Sequence, residues 1–234
     1  KLGRLRFVAM GHVNARFDDV TLDLRDEHGR ATDTVLWLRN GGGKSSLLNL
    51  FYSGLRPHQR EFLGAREDKK ELKDYVGPQD RSVVLYEWEL DDRAGHLKFE
   101  DQLERLLTGV FYEHRSGKLK RLFFSCRVSP DHPETTLEGL PIYRRENGQP
   151  VARRNLAGFR EAWSALQKRC PALQVTYTDN HEEWKSTLNA AGIDTELFRY
   201  QLSMNRREGG ADELFRFKSH EAFVDFLLEL VLNP

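Results

Sequence analysis

The residues with the most chemistry in their spacing are Leu38-Arg39-Asn40-Gly41-Gly42-Gly43-Lys44-Ser45-Ser46, which end in Gly-Lys-Ser. Successive glycines let backbone N–H groups turn inward around an anion. The lysine that follows reaches the outer phosphates of a nucleoside triphosphate, and the next serine offers its hydroxyl to Mg²⁺. The expected phosphate cradle is therefore Arg39, Asn40, Gly41, Gly42, Gly43, Lys44, Ser45 and Ser46, with Lys44 neutralising charge and Ser45 a metal ligand. ATP and Mg²⁺ are the cofactors this chemistry calls for. The full pattern G-x-x-x-x-G-K-[ST] wants glycine at position 38, where this chain has Leu38; a side chain there is tolerated if it points into a sheet. The competing reading is a glycine-rich turn with no ligand.

The second half of an ATPase site is missing from the sequence. Four apolar residues ending in Asp-Glu would supply the carboxylates for metal and water; Val83-Val84-Leu85-Tyr86-Glu87 lacks the aspartate and runs on as a strand. No Leu-Ser-Gly-Gly signature occurs, and Gly209-Gly210-Ala211-Asp212-Glu213 lacks the serine. Other chemistries find no footing. The eight histidines form no H-x-x-x-H or H-E-x-x-H pair, and Cys126 and Cys170 form no C-x-x-C.

A phosphate loop must sit between a strand and a helix, and the flanking patterns provide both. Apolar alternation predicts strands at Leu5 to Ala9, Val20 to Leu24 and Thr34 to Leu38, then a helix over Lys44 to Tyr52. The charged stretch Arg56 to Asp74 suits an exposed helix or a mobile segment. Ser82 to Leu90 reads as a strand, and Leu106 to Glu113 with Leu119 to Val128 as a hairpin around Arg115-Ser116-Gly117-Lys118. The second half turns helical. Apolar spacing at Leu156, Phe159, Trp163 and Leu166 predicts a helix over Asn155 to Lys168. Asp179 with Glu182 suggests an N-cap and capping box, and Gly192 closes that helix. Further helices are expected over Thr195 to Ser203 and Ser219 to Leu232.

At 234 residues the chain holds one sizeable core. The expected organisation is a sheet-rich nucleotide-binding lobe over about residues 1–128 and a helical lobe over about residues 150–234. Lys+Arg and Asp+Glu both number 36, so no global field draws in a polyanion and any DNA contact must come from a local patch. Two cysteines without metal or disulfide spacing suit a reducing cytoplasm, and no apolar run approaches the roughly 18 residues of a membrane span. The chain opens without Met and stops after an apolar stretch, so a piece of a longer protein is the expectation.

A phosphate loop near the start, with no second acidic motif in the residues that follow, resembles ATPases of the SMC and MukB type. In these, two head halves are separated in sequence by a long coiled coil and meet again in space. The opening, an Arg-Phe-Asp-Asp segment at Phe17 between strands and then RNGGGKSSLLNLF, is similar to the start of such heads. WLRNGGGKSSLLNLFYSGLRP and FRYQLSMNRREGGADELFRF resemble the JetC and MksB-like branch associated with Wadjet plasmid defence. The resemblance implies an α/β fold of the ABC type: the N-terminal half of an SMC-like P-loop head, with a mixed sheet lobe and a helical lobe leading to a coiled coil.

It further implies that Gln201 is the Q-loop glutamine, contacting Mg²⁺ and the attacking water; the plain alternative is a polar helix residue. Arg66 aligns with the family's R-loop arginine, though Arg56 and Arg60 compete. The implied partners are the C-terminal head half, a second head engaged through ATP, kleisin and winged-helix subunits, a nuclease subunit and DNA. The implied setting is a prokaryotic cytoplasm, near the nucleoid.

Three basic clusters are candidates for the DNA contact: Arg56 to Lys73, Arg115 to Arg121, and Arg144 to Arg154. Each is interleaved with acidic residues or belongs to an ordinary solvated face. Chromosome organisation is an alternative to plasmid defence. A self-sufficient NTPase would need its own acidic motif, and a non-catalytic interaction module with a relic loop would bind no nucleotide.

Overall fold

Strand segments that are apolar on both faces need cover on both sides, and the observed architecture supplies it. The computed structural model describes residues 1–12, 15–39, 42–56, 58–63, 71–90, 104–147, 149–205, 219 and 224. Strands β1 (Leu2–His12) and β2 (Ala15–Asp23) precede helix α1 (Lys44–Ser53) and the short α2 (Gln59–Phe62). Then come β3 (Arg81–Glu89), β4 (Arg105–Arg115), β5 (Lys118–Arg127), β6 (Tyr143–Glu146) and β7 (Gln149–Arg153). Helix α3 (Leu156–Arg169), strand β8 (Thr176–Thr178) and helices α4 (His181–Ala190) and α5 (Thr195–Asn205) follow.

Among the described residues, six strands form one sheet in the order β2-β1-β3-β4-β5-β8, and β6 and β7 pair separately. Each of these pairings is antiparallel. The fold is α/β, and the mixed sheet expected from the sequence is replaced by an antiparallel one. β4 and β5 are joined by the two residues Ser116 and Gly117, with φ of 52° and 72°, the geometry that matches strand twist in a tight hairpin.

Strand alternation divides the core in two. Phe7, Val84, Tyr86, Trp88, Val110, Tyr112 and Phe123 face α1, α4 and α5, together with Leu55, Phe62, Leu72 and Tyr75. Val83, Leu85, Leu107, Phe111, Leu122 and Phe124 face α3, with Leu137, Leu140 and Ile142 beside it. Helices from the second half of the chain thus cover both faces of a sheet built mainly from the first half, and β8 pairs with β5 in that sheet.

Several local expectations change. Thr34 to Leu38 forms no strand; Val35 and Trp37 are 89% and 92% exposed. A strand needs a neighbouring backbone to satisfy its N–H and C=O groups, and no described strand lies alongside. The cap of α4 is Asn180 rather than Asp179: the Asn180 side chain accepts from the N–H groups of Glu182 and Glu183 at 2.9 and 3.2 Å. Gly192, at φ 78°, ends α4 as expected, with Gly192 and Ile193 N–H groups donating back to Asn189 and Leu188 carbonyls.

The Arg56 to Asp74 stretch is no exposed helix at its ends, because Arg56, Phe62 and Leu72 are buried. The helix expected over Ser219 to Leu232, and with it the coiled-coil departure, lies outside the described residues except at 219 and 224.

Candidate functional site

Helix α1 carries the glycine loop at its N-terminus and is fixed to the sheet through Leu47 and Leu50, three residues apart on its buried side. Gly43 is its N-cap at φ 85°, a left-handed conformation that a β-carbon disfavours. The Gly42 N–H donates to the Arg39 carbonyl at 2.9 Å, and a β-carbon on Gly42 would approach that same oxygen to 2.9 Å. Gly43, having no side chain, gives α1 no side-chain cap, and the first turn has no acidic residue. The positive end of the helix dipole and the first-turn N–H groups are thus left for an anion. Ser45 is exposed and Ser46 half-buried in that turn. The Lys44 Nζ donates to the carbonyls of Leu38 at 3.0 Å and Arg39 at 3.3 Å, so the ammonium lies across the loop. Leu38 is half-buried against the core on the α1 side. Asn40 and Gly41 lie outside the described residues.

The other end of α1 is clamped, which the sequence did not announce. The Tyr86 hydroxyl donates to Phe51 O at 2.6 Å, and Tyr112 to Ser53 Oγ at 2.6 Å, while Ser53 donates to Leu50 O at 2.6 Å. From α4, Trp184 Nε1 donates to Gly54 O at 2.8 Å. Burial raises the Tyr86 phenol well above its ordinary value and Tyr112 to about 12, so both remain neutral donors. Gly54 permits this seat: a β-carbon would lie 2.5 to 2.8 Å from the Tyr86 ring and hydroxyl. The available signal was parity, since Tyr86 and Tyr112 fall on the strand positions that face α1.

Gln201 lies exposed on α5, and its side-chain oxygen accepts weakly from Tyr52 Oη at 3.5 Å. Ser45 is in the first turn of α1 and Tyr52 near its last, about 10 Å apart along the axis at 1.5 Å per residue. The structure brings Gln201 to the helix that carries the loop, at the end away from Ser45. Aromatic contacts of Phe198 with Phe51 and Tyr52 hold α5 there.

Glu87, the nearest imitation of a catalytic acid, is a structural residue. It is buried on the central strand β3, held by Arg4 at 2.5 Å, with Arg25 and Arg105 at 3.8 and 3.9 Å. Arg56 is also structural: it pairs with Glu61 and with Glu196 at 3.1 Å, and donates to the Thr195 carbonyl at 3.1 Å. Burial takes Arg56 out of contention for a DNA contact. Arg66 lies outside the described residues, as does Gly209 to Glu213.

Among the described residues no group of three or more His, Cys, Asp or Glu side chains is arranged to hold a metal, and no helix is long and apolar enough to cross a membrane. No family model, curated protein or solved structure matches the chain.

Proposed function

We propose that the chain binds the phosphates of ATP-Mg²⁺ on the 39–46 loop and acts as the N-terminal half of an SMC-like DNA-motor head. The observation that carries the reading is the uncapped start of α1: a left-handed Gly43, a tight Gly42 turn and the Lys44 ammonium laid over the loop carbonyls. The fit to a phosphate rests on the chemistry of these groups. Backbone N–H groups of the first turn accept negative charge, Lys44 leaves its carbonyl partners to neutralise it, and the exposed Ser45 hydroxyl is placed to take a metal. Bound ATP-Mg²⁺ would supply the phosphoanhydride and the Lewis acid. The clamped far end of α1 holds the loop on a rigid element.

Hydrolysis needs carboxylates that the described residues do not bring to Ser45. The reading is that a C-terminal head half supplies them and a second head completes the site. Support comes from residues 34–38, immediately before the loop, where Val35 and Trp37 stand exposed and no described strand pairs with the backbone. Such a segment suits pairing with a strand from another polypeptide segment. Gln201 would then reach the metal through a shift of α5 along α1. Plasmid defence through a Wadjet-type complex, with kleisin, winged-helix and nuclease subunits, is the biological setting that the sequence resemblance supports.

The test is calorimetry of ATP-Mg²⁺ with the chain, then phosphate release with and without a separately expressed C-terminal half. Binding with turnover only after the addition supports the split-head reading. Absence of binding in both arrangements leaves a glycine-rich turn and refutes it.

A further inference from the structure

We infer that the cleft between the sheet and the α4–α5 corner is a binding site for an uncharged aromatic ligand bearing a carbonyl oxygen. The sheet supplies its floor. On the face that carries Tyr86 and Trp88, strand register sets Thr108, Ser125 and Thr176 side by side on β4, β5 and β8. Directly opposed strand residues hold their β-carbons about 4.5–5.5 Å apart, so the three hydroxyls form one short row. In the adjacent row α4 covers Phe123, with the Trp184 ring stacked on it at 5.3 Å. The helix stops short of the hydroxyls: the chain turns at Gly192, with φ 78°, and begins α5 at Thr195. A cleft of about 940 Å³ lies there, walled by Trp88, Leu106, Leu188, Ile193, Leu197 and Phe198.

Hydrogen bonding makes the floor a donor surface. Thr108 is wholly buried and accepts from Trp88 Nε1 at 2.8 Å; its own hydroxyl proton meets no acceptor among the described residues. Ser125 Oγ and Thr176 Oγ1 lie 2.7 Å apart, a contact that uses one of their two protons. Two hydroxyl protons therefore remain for a ligand, and a carbonyl oxygen with its two lone pairs matches them. Leaving buried donors unmatched is costly, which gives such an oxygen a reason to enter.

Charge favours a neutral molecule. The rim carries both signs, and its charges are engaged. Glu89 accepts from the Ala31 N–H at 2.8 Å, Arg127 pairs with Glu104 and donates to Gln174 at 2.9 Å, and Asp194 accepts from the Glu196 N–H at 2.8 Å. The walls select an aromatic body, since Trp88 and Phe198 stand 6.4 Å apart with their rings inclined by 57°. An apolar cleft with a few convergent polar groups is the usual form of a small-molecule site. The corner is also held in shape, because Asn189 Oδ1 accepts from both the N–H and the hydroxyl of Thr195, at 3.0 and 3.1 Å. The same Phe198 ring packs on Phe51 and Tyr52 of α1. A bound ligand thus shares a wall with the contact that seats α5 beside the helix of the glycine loop.

The experiment titrates the chain, without nucleotide, with Prodan, an uncharged naphthalene whose single ketone makes its emission sensitive to polarity and hydrogen bonding. Leu197→Arg puts a charged side chain at the mouth, where Leu197 is 51% exposed, and Val151→Arg, at a residue 50% exposed on β7, is its control. Ser125→Ala removes a floor hydroxyl, and Trp37→Ser removes the exposed ring of the segment before the glycine loop. Thermal unfolding confirms that each variant folds. Saturable binding to the unaltered chain is expected. Leu197→Arg should weaken it about tenfold or more, the worth of one buried leucine contact. Ser125→Ala should weaken it about three- to tenfold, the worth of one hydrogen bond, and move the emission to shorter wavelength. Val151→Arg and Trp37→Ser should bind as the unaltered chain does. Absence of saturable binding, equal losses in the two arginine variants, or loss of binding in Trp37→Ser overturns the assignment. Unchanged affinity and emission in Ser125→Ala overturns the part given to the hydroxyl floor, and with it the carbonyl ligand. Since nucleotide is absent and the probe carries no phosphate, failure here leaves the phosphate-loop reading standing, and failure of ATP binding leaves this one standing.

Discussion

Gly54→Ala probes the seat that fixes α1. The substitution keeps an allowed backbone, since Gly54 has φ −92° and ψ −15°. It places a methyl group 2.5 Å from the Tyr86 hydroxyl, 2.6 Å from Cε2 and 2.8 Å from Cζ. Tyr86 is fully buried, so its ring moves only by displacing core neighbours. Overpacking of this kind costs about 1–3 kcal/mol. Moving the hydroxyl off the Phe51 carbonyl adds about 1–3 kcal/mol for a buried donor and acceptor left unmatched. The loss of glycine freedom in the unfolded chain offsets about 0.4–1 kcal/mol. The net expectation is destabilisation by about 3 kcal/mol, read as a fall of about 1 M in the urea midpoint. In a Tyr86→Phe background the nearest clashing atom and the hydrogen bond are both gone, so the cost of Gly54→Ala should shrink by about 1 kcal/mol. An unchanged or higher midpoint, or strict additivity in the double variant, would refute the described contact between α1 and β3.

Other outcomes follow from the same geometry. Lys44→Ala should abolish ATP-Mg²⁺ binding in calorimetry while the urea midpoint moves by less than about 0.5 kcal/mol equivalent, because the side chain is exposed and reaches the carbonyls of Leu38 and Arg39 from the surface of the loop; unfolding of the variant would count against the site. Trp37 is 92% exposed while Trp88, Trp163 and Trp184 are buried, so acrylamide should quench one tryptophan readily, and addition of a complementing C-terminal half should protect it. Burial, with Arg121 donating to Nε2 at 2.8 Å, lowers the His181 pKa below 6.5. The unfolded chain then binds the proton first, so stability present above pH 6.5 is lost as pH falls toward the folded value. His181→Asn should flatten that part of the stability–pH profile, and an unchanged profile would reject the account. Burial raises the Cys126 thiol far above its usual range, so iodoacetamide on the native chain should label Cys170 alone, as read by mass spectrometry.

Much of the fold was legible because its determinants are local. Apolar alternation located β3, β4 and β5, and the Arg115 to Lys118 turn lies where the hairpin reverses. The spacing of Phe159, Trp163 and Leu166 located α3, whose N-cap Asn155 accepts from Gly158 N–H. One-residue ambiguities stayed hidden where two adjacent residues can both cap a helix, as Asp179 and Asn180 can, because the choice depends on where the chain leaves β8. Thr34 to Leu38 carries strand-forming residues, but a strand is a property of two backbones, and the described sheet offers none beside it.

The sequence alone determined where the proposed phosphate site lies: three glycines, a lysine and a serine before an apolar helix place the relevant backbone freedom and side-chain chemistry within nine consecutive residues. Tertiary structure decided which charges remain to act. Arg56 and Glu87 look as available in the sequence as Arg115 and Lys118, yet burial consumes the first two in ion pairs while the hairpin leaves the others in solvent. Tertiary structure also decided what holds the loop in place, since Tyr86, Tyr112 and Trp184 meet α1 only after the sheet has formed and α4 has folded back over it. Contacts between residues far apart in the chain are fixed by packing and register, and a linear pattern records the parity of such residues but not their partners.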